Sequence, residues 1–313
     1  MYQALNVDTG QIYALKRLTL SLESGKRLKE IAQLRREFLT LQELCHENIV
    51  KYLQVDVEPD QSAVNLVLEY VPCGSVLSIL SRTQQCEEGM IRQYTKQLLQ
   101  GVAYLHRQGV VHRDIKCSNI LVDASGKIKI ADFGSCRRVT ELDESAACKG
   151  LAGSPYWMAP EVARRAGHSF SADIWSVGCA VIEMIARRAP WSDISTNCKE
   201  VLELISKTQG PPAYPKGIST ECRVFLDCCL QVNAERRATA DQLLSHCFLT
   251  GSRITAEELQ ALDWNRPAST QSLPHISLKA KLLSPVLRSR RTNIFFCQSL
   301  LASPKPSSRE SLR

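Results

Sequence analysis

The sequence predicts an α+β protein, which combines β-strands near the start of the chain with long helices. The first observation is a set of short β-prone runs near the start of the chain, separated by turn residues. The second is the recurrence of apolar residues at spacings of three and four farther on, which is the period of a helix with one buried face. A chain of 313 residues is also long enough to bury a large core.

The β-rich part begins with a predicted hairpin. Its strands are Tyr2–Val7 and Gln11–Leu18, and Asp8–Gly10 between them is a turn signal. Two more strands are predicted at Ile49–Val57 and Asn65–Val71, joined through a polar turn that contains proline.

Two long helices are predicted from the spacing of their apolar residues. The first covers Ser24–Leu44, and the second covers residues 88–109 and is stopped by Gly109. Ser75 is expected to cap the start of a further helix, because its hydroxyl can accept a hydrogen bond from a backbone N–H of the first turn.

The basic charge is unevenly distributed along the chain. The formal net charge is +7, and residues 251–313 hold most of it, with ten Lys/Arg against four Asp/Glu. The body is therefore close to neutral and gives no reason to expect nucleic acid as a partner. Residues 250–313 are rich in Ser, Pro and Arg, and we expect them to form a disordered basic tail.

One part of this tail has a recognisable pattern. Arg288–Arg291 followed by Ile294–Phe296 is basic and then apolar, as in a peptide that docks on a kinase, and the same pattern would suit an anionic membrane surface. A solvated basic tail is the interpretation we favour, so membrane contact by the tail is not expected.

The cysteines indicate a reducing compartment. There are 13 of them, without any C-x-x-C pair, and neither a signal peptide nor a long apolar run is visible. We therefore expect reduced thiols in a cytoplasmic protein.

The richest chemistry lies in His112–Asn119, which brings an acid (Asp114), an amine (Lys116) and an amide (Asn119) within eight residues. A segment rich in β-branched residues follows, and then Asp132–Gly134. A lone carboxylate can orient a hydroxyl nucleophile, and a carboxylate with an amide oxygen can hold Mg²⁺.

This ordered pair of motifs, followed by Ala159–Glu161, resembles the catalytic and metal loops of the protein kinases. The resemblance covers roughly residues 1–249. It implies the bilobal kinase fold, with an incomplete small lobe and hinge over residues 1–71 and a mainly helical large lobe over residues 72–249. It also implies a transferase that uses ATP and Mg²⁺.

Within that superfamily the chain resembles the MAP kinase kinase kinases. Gly153–Glu161 is characteristic of kinases in and around the MAP kinase cascade, and Pro72–Val76 is similar to their P-G-G-S-[VL] motif, with Cys73 in place of a glycine. Ste-twenty-type kinases, one tier above, share many of these motifs, so the tier stays open. The implied substrate is serine or threonine of a protein, a downstream MAP kinase kinase.

The resemblance gives each polar residue of the two motifs a role. Asp114 would take or orient the proton of the substrate hydroxyl, and Lys116, the serine/threonine-kinase residue, would stabilise charge on the transferred phosphoryl group. Asn119 and Asp132 would be the metal ligands.

Two residues near the start match the kinase nucleotide site. Lys16, in Tyr13–Lys16, would hold the α- and β-phosphates of ATP, although a lone strand lysine is usually just solvated. Glu37 fits the helix glutamate that pairs with that lysine. Its neighbours Arg35 and Arg36 offer the alternative of a local surface ion pair.

The remaining nucleotide contacts rest on position. Backbone groups of Glu69 and Val71 would bond the adenine edge at the hinge. Ala14 and Leu121 also fall at nucleotide-binding positions of the family.

Other matches are structural. Asp173 matches the helix-start aspartate that holds the catalytic-loop backbone, and Glu161 and Arg237 match the buried ion pair of the large lobe. His112 and Phe133 are expected to pack in the core, because a buried histidine is usually a satisfied core residue.

Residues 135–158 correspond to the activation segment. Arg113 would meet a phosphate there, and the acidic residues within Glu141–Glu144 could partly substitute for it. The phosphorylation site stays open among the available hydroxyls, which are Ser135, Thr140, Ser145, Ser154 and Tyr156. Ser154 matches the substrate-facing hydroxyl that bridges Asp114 and Lys116 in serine/threonine kinases.

The main departure from the family is that no G-x-G-x-x-G occurs in the chain. In kinases such glycines let backbone amides approach the phosphates. We expect the sequence to be incomplete at its start. The alternative is a non-catalytic, kinase-like interaction module, which the presence of Lys16, Asp114, Asn119 and Asp132 argues against.

Overall fold

The structure is a computed structural model, and it describes residues 1–21, 24–60, 62–83, 86–139, 153–252 and 294–296. The chain forms two compact units. The first consists of Met1–Gln42, Lys51–Tyr70 and Val286–Arg313, and the second of Glu43–Val50 and Val71–Pro285. The predicted domain boundaries at residues 71 and 249 stay predictions.

The first unit is built on a five-stranded sheet in the order β3-β4-β2-β1-β9. Its strands are β1 (Tyr2–Asn6), β2 (Ile12–Thr19), β3 (Tyr52–Val57), β4 (Ala63–Glu69) and β9 (Ile294–Phe296). Each neighbouring pair is antiparallel. The strand β9 lies in the predicted basic tail, most of which is outside the described residues.

The predicted hairpin is confirmed, and its turn has a clear cause. The Asn6 side-chain oxygen accepts hydrogen bonds from the backbone N–H of Asp8 at 2.9 Å and of Thr9 at 3.1 Å. Gly10 then adopts φ +69°, which glycine reaches without steric cost. The side chains of Ala4 and Leu15 are buried together beneath this hairpin.

The predicted helix near the start is α1 (Ser24–Gln42), which ends two residues earlier than expected. It belongs to the first unit, where the ring of Phe38 lies edge-on to that of Tyr52, with centroids 6.1 Å apart. The strand predicted from Ile49 begins only at Tyr52.

The reason is that the backbone before Tyr52 bonds elsewhere. In the second unit, Val50 N–H donates to the Ile130 carbonyl at 2.9 Å, and Ile130 N–H donates to the Asn48 carbonyl at 2.8 Å. This pairing takes residues 48–50 out of the strand that the sequence pattern indicated.

The second unit is mainly helical. Its described helices are α2 (Val76–Arg82), α3 (Glu88–Arg107), α4 (Pro160–Ala163), α5 (Phe170–Ala186), α6 (Cys198–Lys207), α7 (Thr220–Cys229), α8 (Ala240–Leu244) and α9 (Cys247–Thr250). Short paired strands, β5 (Val110–Val111) with β8 (Arg137–Arg138) and β6 (Ile120–Val122) with β7 (Ile128–Ile130), hold the segments between α3 and α4.

The core of this unit lies between α3 and α5. Leu98, Val102 and Leu105 of α3 are fully buried, at the helical spacing that the sequence showed. Helix α5 is apolar on nearly all sides, so it is enclosed by its neighbours. Its Gly178 leaves room for α7, because a Cβ atom there would lie 2.8 Å from that of Cys229.

No helix in the described part of the chain is long and apolar enough to cross a membrane.

Candidate active site

The segment with the richest chemistry follows α3 and β5. It runs from His112 through an extended stretch into a single 3-10 turn, Cys117–Asn119, and then enters β6. Its start is held by Asp173 near the beginning of α5, whose carboxylate accepts the backbone N–H groups of His112 and Arg113, each at 2.8 Å. The predicted role of Asp173 in holding this backbone is therefore confirmed in geometry.

Asp173 is fully buried, and burial raises the pKa of a carboxyl group. The hydrogen bond from His106 Nε2 at 3.0 Å and the bonds from the backbone outweigh burial, so the pKa of Asp173 lies below its ordinary value. The carboxylate is thus ionised at neutral pH and can hold the backbone firmly.

Three of the predicted catalytic residues meet in this segment. The Lys116 ammonium nitrogen lies 2.9 Å from Asp114 Oδ2. The Asn119 side-chain amide donates to the same oxygen and to the Asp114 carbonyl, both at 2.9 Å. The amide nitrogen of Asn119 is therefore committed to Asp114, and its oxygen is the end suited to a metal ion.

Asp114 remains a carboxylate in this setting. Burial raises its pKa, but hydrogen bonds and the positive charge of Lys116, with further hydrogen bonds from Ser154 and Asn119, outweigh burial and lower the pKa overall. An ionised carboxylate is an acceptor only, so it can receive and orient a substrate hydroxyl.

Ser154 joins this cluster from a part of the chain about forty residues away. Its backbone N–H donates to Asp114 Oδ1 at 2.9 Å, and its hydroxyl accepts a hydrogen bond from the Lys116 ammonium. The sequence predicted that the hydroxyl bridges Asp114 and Lys116. In the structure the residue bridges them, with the backbone N–H supplying the bond to Asp114.

This close approach depends on a glycine. Gly153 has φ +103°, and a Cβ atom built on it would collide with the carbonyl oxygen of Arg113. A side chain at this position would push Ser154 away from Asp114.

Asp132, the second predicted metal ligand, follows β7. Its φ is +60°, an uncommon value for a residue other than glycine, and it precedes the 3-10 turn Phe133–Ser135. The neighbouring Ala131 N–H donates to the Asn119 carbonyl at 2.8 Å, which ties the two predicted ligands' segments together.

The donor set fits Mg²⁺. Asn119 and Asp132 offer an amide oxygen and a carboxylate, which are hard oxygen ligands. The described residues contain no group of three or more His, Cys, Asp or Glu side chains able to hold a metal. Mg²⁺ does not need one, since it is commonly bound by one or two protein ligands together with substrate phosphates.

His112 and Phe133 pack in the core, as predicted. Their rings lie edge to face with centroids 5.0 Å apart, and His112 is fully buried. Burial lowers the pKa of His112 below its usual value, although the nearby charges of Asp173, Asp114 and Asp132 oppose this effect. Its Nε2 is 3.2 Å from the Ala131 carbonyl, which suits a neutral ring that donates one bond.

The predicted nucleotide residues of the first unit lie on its sheet and helix. Ala14 and Lys16 are two residues apart on β2, opposite Leu68 and Leu66 of β4, so they share one face of the sheet. Glu69 is the last residue of β4.

Three further predicted positions complete the set. Glu37 lies in α1, and its side chain is outside the described part of the structure, so its pairing with Lys16 stays a prediction. In the second unit, Val71 is buried, and Leu121 lies in β6 and is bridged to Ser75. The nucleotide-binding roles of all these residues stay predictions.

The expected ion pair of the second unit is present. Arg237 donates from its two terminal nitrogens to the two oxygens of Glu161, at 2.7 and 3.1 Å. Its guanidinium also lies over the ring of Trp175, 5.2 Å from the centroid.

The expectations for the activation segment cannot be followed along its length. Residues 140–152, which include Ser145 and Glu141–Glu144, lie outside the described residues. Arg113 itself is described and adopts φ +73° beside the candidate base.

Sequence reasoning missed one residue. Glu183, on α5, accepts the backbone N–H of Cys117 and the indole N–H of Trp157, both at 2.9 Å. The signal that could have revealed it is a lone carboxylate in the apolar run of α5, because a buried charge requires partners.

Comparison with known proteins agrees with this geometry. Residues 1–249 match the sequence model of the protein kinase domain, so the chain belongs to the protein kinase family and has its α+β fold. The expected fold class is thereby confirmed.

The chain is similar to mitogen-activated protein kinase kinase kinases. It is 42% identical over 279 residues to mitogen-activated protein kinase kinase kinase 3 of Arabidopsis thaliana, which covers 87% of this chain and 42% of that protein. It is 44% identical over 258 residues to kinase kinase kinase 2 of the same plant, covering 81% and 39%.

A relative from a second organism gives the same result. Mitogen-activated protein kinase kinase kinase A of Dictyostelium discoideum is 39% identical over 251 residues, covering 80% of this chain and 26% of that protein. The chain therefore spans less than half the length of these relatives. The predicted resemblance to this group of kinases is confirmed.

Proposed function

We propose that this chain is a serine/threonine protein kinase that transfers the γ-phosphate of ATP to a protein hydroxyl in a MAP kinase cascade. The observation that carries the proposal is the cluster around one carboxylate. Lys116, Asn119 and Ser154 all bond to, or lie within ion-pair distance of, Asp114.

The contacts in the cluster support a different role for each side chain. Asp114, held as a carboxylate, accepts the hydroxyl of the incoming serine or threonine and aims its oxygen at the phosphorus. The Lys116 ammonium stabilises negative charge that develops on the transferred group. Asp114 is fixed by three neighbours, so little reorganisation is needed when substrate arrives.

Asn119 and Asp132 would hold Mg²⁺ through their oxygens. The ion neutralises the phosphate charge when it is bound. Lys16 would bind the α- and β-phosphates, supported by Glu37, and the backbone of Glu69 and Val71 would bind adenine. Ala14 and Leu121 are proposed as further nucleotide contacts.

The class of substrate is argued from one contact of the site and from the relatives. The pairing of Lys116 with Ser154 is the arrangement of serine/threonine kinases. The relatives are named as kinases of MAP kinase kinases. We therefore propose a MAP kinase kinase as substrate, and a cytoplasmic location, since the cysteines that the structure describes are all free thiols.

A phosphotransfer assay tests the proposal. The whole chain is incubated with radiolabelled ATP and Mg²⁺, with a catalytically inactive MAP kinase kinase as acceptor. Asp114→Asn should lower the rate by a factor on the order of 10² or more. The matched control is Asp123→Asn, an aspartate of the β6–β7 turn that bonds Ser125 and Lys127, and it should leave the rate within about twofold.

Two results would contradict the proposal. Equal rates in wild type and Asp114→Asn would reject Asp114 as the group that orients the hydroxyl. Absence of transfer from wild type, with ATP bound normally, would favour the non-catalytic interaction module.

A further inference from the structure

A second buried carboxylate lies beneath the candidate active site. Glu183 is 2% exposed, and its Oε2 atom alone receives two hydrogen bonds, from Cys117 N–H and from Trp157 Nε1, both at 2.9 Å. One oxygen therefore joins two segments that are forty residues apart in sequence.

Both partners lie within three residues of a member of the Asp114 cluster. Cys117 follows Lys116 in the chain, and Trp157 belongs to the 3-10 turn Pro155–Trp157 that begins immediately after Ser154. The Lys116–Ser154 hydrogen bond joins the same two segments on the side of the candidate base. Glu183 thus forms a second connection between them.

Helix α5 reinforces this connection. Ser176 Oγ donates to the Trp157 carbonyl at 2.9 Å, and Cys117 Sγ lies 3.5 Å from the Ala180 carbonyl. Trp157 is therefore held through its backbone and its ring, and Cys117 through its backbone and its thiol.

The same helix holds both ends of the candidate catalytic segment. Asp173 fixes the backbone of His112 and Arg113, and Glu183, ten residues later, fixes Cys117. Ten residues span about 15 Å along a helix, so α5 acts as a rigid spacer between the two attachment points.

The buried environment of Glu183 is unfavourable for a charged carboxylate. Burial raises the pKa of Glu183, and its bonds to Cys117 and Trp157 only partly oppose that effect. A buried carboxylate is costly, and an apolar residue of similar size often serves stability as well. Its two directed hydrogen bonds are what an apolar residue cannot supply.

We propose that Glu183 is a positioning residue that sets the place of Lys116 relative to the segment 154–157, through the two hydrogen bonds that its Oε2 accepts. The proposal rests on the proposed kinase function for its effect on rate. It goes beyond that function by assigning part of the rate to a residue outside the Asp114 cluster.

The test compares two substitutions at one position. Glu183→Gln keeps a side-chain oxygen that can accept both hydrogen bonds, whereas Glu183→Leu keeps the approximate size and removes both. Glu183→Leu should lower kcat by about tenfold or more, because small displacements of catalytic groups are costly, and should leave KM for ATP nearly unchanged. Glu183→Gln should retain kcat within about threefold of wild type.

Trp157→Phe provides an independent variant, since it removes one donor and leaves Glu183 in place. It should give a loss of kcat smaller than that of Glu183→Leu. In a Glu183→Leu background the same change should have no further effect, because the bond it removes is already absent. If Glu183→Leu fails to fold, Glu183→Gln and Trp157→Phe still test the proposal. The loss of kcat should then be larger for Trp157→Phe, which removes a hydrogen bond, than for Glu183→Gln, which keeps both.

A second readout does not need activity. Amide hydrogen exchange of the whole chain should be faster at residues 116–119 and 154–158 in Glu183→Leu and close to wild type in Glu183→Gln. If wild type is inactive but the two variants show this exchange pattern, the proposed kinase function is wrong, whereas the structural role of Glu183 in joining the two segments is supported.

The proposal is overturned if folded Glu183→Leu has wild-type kcat and wild-type exchange in both segments. It is also overturned if Glu183→Gln is as impaired as Glu183→Leu, because the negative charge would then matter and not the accepting oxygen.

Discussion

Two arginine–carboxylate pairs, one in each unit, show how much burial changes an interaction of the same chemistry. In the first unit, Arg17 donates twice to Glu58, at 2.7 and 2.8 Å, and the two side chains are 37% and 22% exposed. In the second unit, Arg237 donates twice to Glu161, at 2.7 and 3.1 Å, with exposures of 0% and 17%.

The difference in exposure indicates which of the two ion pairs contributes to the stability of the fold. Water can replace either partner of the Arg17 pair, so this pair adds little. Arg237 is buried, so water does not replace it when it is removed. Loss of either partner would leave the other charge without its ion pair and would destabilise the fold. The same holds for Asp173 and Glu183, which are buried and accept hydrogen bonds from protein donors.

The largest expected effect is on stability. Arg237→Met leaves Glu161 without its partner and should lower the free energy of unfolding by about 3–5 kcal/mol. Urea unfolding followed by tryptophan fluorescence measures it. Arg236→Met is the matched control, because Arg236 is exposed, and it should change little. Equal effects of Arg237→Met and Arg236→Met would show that the buried pair stabilises the fold no more than an exposed arginine does.

Lowering the pH should reduce the stability of the second unit through protonation of Asp173. The pKa of Asp173 is lowered in the folded chain, so its contribution to stability is complete above the ordinary aspartate pKa, about 4, and is lost as pH falls through the lower folded value. The stability difference between wild type and Asp173→Asn should therefore narrow below about pH 4. Unfolding free energies measured over a pH series test this, and a constant difference would refute it.

Two glycines, one in each unit, extend the comparison of the two units. Gly153 and Gly10 both have positive φ, but a Cβ atom on Gly153 meets the Arg113 carbonyl, and on Gly10 it meets nothing within 4 Å. Gly10→Ala should cost only backbone strain, about 1 kcal/mol. Gly153→Ala should cost more and should also reduce phosphotransfer by about tenfold, since it moves Ser154. Thermal unfolding and the transfer assay together separate the two effects.

The smallest effect is expected at the exposed pair. Arg17→Met should leave the unfolding midpoint nearly unchanged at moderate salt, because the pair is solvated. A loss as large as that of Arg237→Met would mean that the exposed pair is as important as the buried one.

The parts of the site that could be predicted are those written within a short stretch. Asp114, Lys116 and Asn119 lie within six residues, so their types and spacing carried the chemistry directly. The hairpin turn was equally local, because Asn6 bonds residues two and three positions on.

What could not be predicted depends on distant partners. Glu183 meets Cys117 sixty-six residues away. Its carboxylate in an apolar run signals that it needs partners, but it does not identify Cys117 as one of them. The late start of β3 follows from bonds between Val50 and Ile130, which no periodicity in the strand reveals. The pairing of β9 with β1 likewise joins residues near opposite ends of the sequence.

The central claim is that Lys116 lies beside the phosphoryl group transferred to the hydroxyl that Asp114 holds, and an acyl-phosphate derivative of ATP tests it most directly. An amine close to the bound probe takes the acyl group as an amide, the acyl–phosphate bond breaks, and ATP leaves. Mass spectrometry should find Lys116 acylated, with labelling suppressed by excess ATP and Mg²⁺. Labelling spread over exposed lysines such as Lys127 and Lys199, and unaffected by ATP, would contradict the account.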